Sequence, residues 1–99
     1  MRLTPEQSEI IRHAARETFG PETQVWLFGS RVDDGKRGGD IDLLIQPALP
    51  RMATALTDKL RLLGALERRL GERRIDVIIE APGDTRPIVQ IAHATGIRL

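Results

Sequence analysis

Residues Leu27 to Leu44 read LFGSRVDDGKRGGDIDLL. An apolar run stops at Gly29-Ser30, a charged glycine-rich loop follows, and a second apolar run returns carrying Asp40 and Asp42 with only Ile41 between them. On a strand, residues two apart share a face, so Asp40 and Asp42 project together while Ile41, Leu43 and Ile45 go to the opposite side. The connection Gly29 to Gly39 is short for a parallel crossover, so the two strands it joins are expected to be antiparallel.

Outward from this stretch, Val25 to Phe28 is the first expected strand, ended by Gly29, and Asp40 to Gln46 is the second, ended by Pro47. Upstream, Thr4 can cap a helix, Pro5 suits its first position and Gln7 completes a capping box. Ile10, Ile11, Ala14, Ala15 and Phe19 recur at helical spacing before Gly20-Pro21, which places helix one at about residues 5–19. Downstream, Met52, Leu56, Leu60, Leu63, Leu66 and Leu70 step by fours and threes, one face of a long helix ended by Gly71. Arg74 to Glu80, RIDVIIE, reads as a third strand closed by Ala81-Pro82-Gly83. Thr85 to Thr95 suits a last helix with Ile88, Val89, Ile91 and Ala92 inward, and Gly96 ends it. The full helix between strands two and three suits a right-handed parallel crossover. The expectation is a small α/β (α+β) domain spanning residues 1–99: a mixed three-stranded sheet with helices packed on it, in the order αβ(α)βαβα.

Composition is consistent with this. The 99 residues are 40% hydrophobic and 29% charged, as in a folded soluble domain rather than a disordered chain. Trp26, Phe19 and Phe28 are the only aromatics, so aliphatic side chains must fill the interior. Cysteine is absent, which excludes disulfides, zinc–thiolate sites and thiol nucleophiles. No signal peptide or span of about 20 apolar residues is present, so a cytoplasmic, non-membrane protein is the default. The net charge of +1 does not demand a nucleic-acid partner. Arg61, Arg68, Arg69, Arg73 and Arg74 cluster, which reads first as a solvated helix face and second as a binding patch.

The carboxylates carry the chemistry. Asp76, between Ile75 and Val77, projects away from a buried row, and strand three is expected beside strand two, within reach of Asp40 and Asp42. Three clustered carboxylates repel one another, and partial burial raises the cost of keeping each charged. Shared protons, arginines or a bound cation would offset this. A hard divalent ion with oxygen ligands answers it directly: Mg²⁺ binds through one or two carboxylates plus substrate phosphates. Two such ions about 4 Å apart can hold the attacking and leaving oxygens of a phosphoryl displacement. Taken singly, each aspartate reads as a surface residue, and Asp76 as half of an ion pair with Arg74; the conjunction with the loop changes the reading.

In that loop, Ser30-Arg31-Val32-Asp33 has the form of a helix cap. A helix start with exposed N–H groups and a hydroxyl is also an anion site, and glycine admits close backbone approach to a phosphate. Arg31, Lys36 and Arg37 could add positive charge or be solvated loop residues. Neither GxxxxGK[ST] nor GxGxxG is matched.

Gly29-Ser30, nine residues, then Asp40-Ile41-Asp42, with Asp76 on a later strand, resembles the GSx9–11DxD signature of the polymerase-beta-type nucleotidyltransferase superfamily. The wording LFGSR…DIDLLI and the closing IAHATGIRL resemble its smallest branch, the minimal nucleotidyltransferases (MNT domains), which act as antitoxins beside HEPN-domain toxins. The resemblance covers most clearly Val25 to Leu99. It implies the nucleotidyltransferase fold, phosphate contacts from Gly29, Ser30 and, less directly, Arg31, and catalytic Mg²⁺ ligation, by one or two ions, from Asp40, Asp42 and Asp76. It implies transfer of a nucleoside monophosphate, AMP from ATP, to a hydroxyl such as a tyrosine of the HEPN partner.

His13 and His93 fall on expected helices away from the motif and read as surface or boundary residues. No second domain is present to grip base and acceptor, so a partner or a second copy is expected to complete the cleft. Ile88, Val89 and Ile91 read either as that contact surface or as core. Two alternatives stand beside the enzyme: a binding module of the same fold that neutralises its partner by contact, and an unrelated α/β domain with an incidental DxD.

Overall fold

A computed structural model describes residues 3–29, 41–48, 52–71 and 74–99. Helix α1 (Pro5–Phe19) begins as its sequence dictates: Thr4 Oγ1 accepts from the Gln7 N–H and Gln7 Oε1 accepts from the Thr4 N–H, each at 3.0 Å. Strands β1 (Gln24–Phe28) and β2 (Ile41–Gln46) follow, then a single 3₁₀ turn (Met52–Thr54) leading into α2 (Ala55–Leu70), β3 (Ile75–Ile79), α3 (Pro87–Thr95) and the two-residue β4 (Ile97–Arg98). The short helical turn expected after Ser30 lies outside the described residues.

The described residues form a four-stranded mixed sheet in the order β3-β2-β1-β4. β1 and β2 are antiparallel and β2 and β3 parallel, as the connection lengths require. β4 was not expected. It pairs antiparallel with β1 through Trp26↔Arg98 and Leu27↔Ile97, and two residues are too few to show any alternation in sequence. The chain returns to β1 through Gly96, where an added Cβ would come 3.0 Å from the Leu27 carbonyl oxygen.

Alternation splits the sheet into two faces. Val25, Leu27, Ile41, Leu43, Ile45 and Val77 pack with Ile11, Ala14 and Ala15 of α1 and Leu62 and Leu66 of α2. Fully burying an aliphatic side chain stabilises by about 1.5–3 kcal/mol, so this side dominates the fold. On the other face Phe28 and Leu44 meet only Val89 and Ala92 of α3 among the buried residues, with Trp26 and Ile78 packed alongside. α3 is therefore the less firmly anchored helix.

Both later helices depart from their expected faces. In α2, Leu62 is buried, while Leu56 and Leu60 are 70% and 59% exposed. β3 is the sheet edge, so the sheet gives the early part of α2 less to cover. In α3, Val89 and Ala92 are buried, but Ile88 and Ile91 are 38% and 52% exposed rather than inward. The helix starts at Pro87, not Thr85. The preceding turn is held by Asp84, which accepts from the backbone N–H groups of Ala81 and Arg86.

Candidate functional site

Register places the chemistry. Phe28 of β1 pairs with Asp42 of β2, and Asp42 pairs with Asp76 of β3, so the three form one row across the sheet. Asp42 and Asp76 share the α3 face, because Ile41, Leu43 and Val77, their neighbours in sequence, are buried against α1 and α2. Neighbouring strands lie about 4.8 Å apart, so the two carboxylates stand side by side. Like charges directly opposite on adjacent strands are destabilising, so the pair would gain from a cation placed between them.

Gly29 completes the corner. Its φ of +77° turns the chain out of β1, and a Cβ there would overlap Oδ2 of Asp42 and come 3.1 Å from its Cγ. The Gly29 backbone therefore lies directly against the Asp42 carboxylate, in an approach open only to glycine. Asp76 has Arg74 as its neighbour, with Nε 3.7 Å from Oδ2 and both side chains more than half exposed. At that distance and exposure the pair is worth little, and it leaves the carboxylate able to take a stronger partner.

These groups open onto a hollow of about 940 Å³ whose lining includes Gly29, Asp42, Asp76, Lys59 of α2 and Ile88 and Ile91 of α3. The exposure of Ile88 and Ile91 is thus part of the wall beside the carboxylates. Of the residues expected at the site, the structure brings together Gly29, Asp42 and Asp76. Ser30, Arg31, Lys36, Arg37 and Asp40 lie outside the described residues. Among the described residues no group of three or more metal-ligating side chains occurs, since Asp42 and Asp76 make two. Their donors are all carboxylate oxygens, which suit a hard cation such as Mg²⁺ and not a thiophilic one.

The histidines stay away from the hollow. His13 pairs with Glu17 on α1 at 2.6 Å. His93 sits edge-on to Trp26, with ring centroids 4.4 Å apart, and its Nε2 lies 2.7 Å from Oε1 of Glu80, tying α3 to the end of β3. The basic residues Arg61, Arg68, Arg69 and Arg74 are exposed, as a solvated face requires; Arg73 lies outside the described residues.

Two features escaped sequence reasoning. Lys59 reads there as one more polar position on an amphipathic helix. Asp84 and Arg86 form a clasp: Arg86 Nε and Nη2 donate to the Asp84 carboxylate, and Nη2 also donates to the Ile79 carbonyl at 2.8 Å. The Arg86 guanidinium, helped by the backbone N–H groups of Ala81 and Arg86, holds the Asp84 carboxyl far below the usual carboxylate range. An Asp two residues before an Arg-Pro helix start was the available signal.

No protein-family model matches the chain, and no curated protein matches it. No helix among the described residues is long and apolar enough to cross a membrane.

Proposed function

We propose that the protein is a cytoplasmic, Mg²⁺-dependent nucleotidyltransferase of the minimal polymerase-beta type. It would move AMP from ATP to a hydroxyl, with a tyrosine of a HEPN-type toxin as acceptor and neutralisation of that toxin as the outcome. The observation that carries this reading is the Asp42↔Asp76 pairing across parallel strands with Gly29 packed on the Asp42 carboxylate. The spacing of Gly29-Ser30 and Asp40-Ile41-Asp42 supports it.

Asp42 and Asp76, with Asp40, would hold one or two Mg²⁺ ions, which supply charge neutralisation at the phosphates. Gly29, Ser30 and Arg31, at the end of β1 and the start of the loop that follows, would contact the phosphates. The acceptor hydroxyl oxygen attacks the α-phosphorus, the bond from that phosphorus to the bridging oxygen breaks, and pyrophosphate leaves. The hydroxyl proton passes to a carboxylate oxygen of Asp76, the more exposed of the pair. Positioning and electrostatics carry most of the rate in such transfers. The apolar wall formed by Ile88 and Ile91 is where an acceptor segment would lie.

Incubating the protein with α-labelled ATP, Mg²⁺ and the neighbouring gene's product tests this directly. Label on the partner with wild type and not with Asp42→Asn is the expected result. Neutralisation of the partner by both proteins with no label would replace the enzyme with a binding module acting by contact.

A further inference from the structure

Lys59 is half-buried on α2, and no hydrogen bond or ion pair joins it to a partner among the described residues. It lines the hollow that holds Asp42 and Asp76, and also an adjoining one of about 370 Å³. The second hollow offers it no counter-charge, because the Asp84 carboxylate there is already taken up by the Arg86 guanidinium. The lining that Lys59 shares with the carboxylates includes aliphatic Leu63, Val77 and Ile88. A cation held against apolar surface gains most from an anion that enters beside it, since the local dielectric strengthens the contact. Asp42 and Asp76 line the same hollow and repel a bare anion, so the ligand must be one that presents a cation to them and an anion to the lysine. A metal-bound polyphosphate has both.

We infer that Lys59 is a phosphate-binding residue of the site, its ammonium donating to a phosphoryl oxygen of a ligand whose metal-bound part lies at Asp42 and Asp76. The inference rests on the nucleotide reading above and adds a residue and a ligand class to it. Lys59→Met keeps the aliphatic stem and removes the charge, and Lys59→Arg restores a cation.

Calorimetric titrations with Mg-ATP, Mg-pyrophosphate and adenosine separate the possibilities. Lys59→Met should weaken both polyphosphates by on the order of tenfold and leave adenosine unchanged, with Lys59→Arg recovering most of the loss. Mg-ATP binding that is lost in Asp42→Asn but unchanged in Lys59→Met would overturn the inference and spare the nucleotide reading. Pyrophosphate binding that depends on Lys59, with no Mg-ATP binding at all, would keep the anion site and sink the nucleotide reading. Failure of wild type to bind either polyphosphate overturns both.

Discussion

The tightest constraint at the site is the meeting of Gly29 with Asp42. Backbone at φ +77° is open to glycine and strained for any residue with a Cβ, and here the Cβ would also displace the Asp42 carboxylate. Gly29→Ala should therefore cost about 1–3 kcal/mol of stability in denaturant titration. It should also weaken Mg-ATP binding, since the carboxylate can no longer keep its place. A variant with wild-type stability and undiminished binding would show that the contact carries no function. Asp42 and Gly29 were both legible in the sequence, because a strand-ending glycine and an alternating aspartate each have one geometric reading. Lys59 was not, because periodicity separates apolar from polar positions and does not say which polar side chain faces a hollow.

Among the elements, α3 depends on its connection to β3. The Asp84 side chain is 4% exposed, accepts from two backbone N–H groups and from the Arg86 guanidinium, and so fixes both the turn and the first residues of the helix. Its carboxyl is held below its ordinary value, which is about 3.9 in an unfolded chain. A carboxylate depressed in the folded state contributes its stability fully above the unfolded value, and that contribution is lost as the pH falls below it. Thermal midpoints of wild type and Asp84→Asn should thus differ by a constant amount from neutral pH to about pH 4. The difference should shrink at lower pH; one that is unchanged there would remove the clasp from the account. Helix boundaries followed their punctuation closely, with α1 bounded by its capping box and Gly20, and α2 by Gly71. The faces of α2 and α3 did not follow, because an apolar stripe says which side of a helix avoids water and not how much sheet there is to cover it. Leu56, Leu60, Ile88 and Ile91 are the residues left over by that mismatch.

Across the whole molecule, the sheet separates stability from chemistry. One face is closed by α1 and α2 over an aliphatic core, and the other holds α3 lightly and carries Asp42 and Asp76, which open onto a hollow lined by α3, the edge strand β3 and, from α2, Lys59 and Leu63. That division was readable in outline from the alternation Ile41-Asp42-Leu43 and Ile75-Asp76-Val77, whereas β4 and the hollow arise from contacts distant in sequence. If the two carboxylates share a divalent ion beside a nucleotide, Mn²⁺ put in place of Mg²⁺ will report it through paramagnetic broadening of amide signals. With ATP present, the resonances of Gly29, Asp42, Leu43, Asp76 and Val77 should broaden first, at stoichiometric metal, and Asp42→Asn should abolish the effect. Broadening centred elsewhere, or equal in the variant, would contradict a metal held between Asp42 and Asp76.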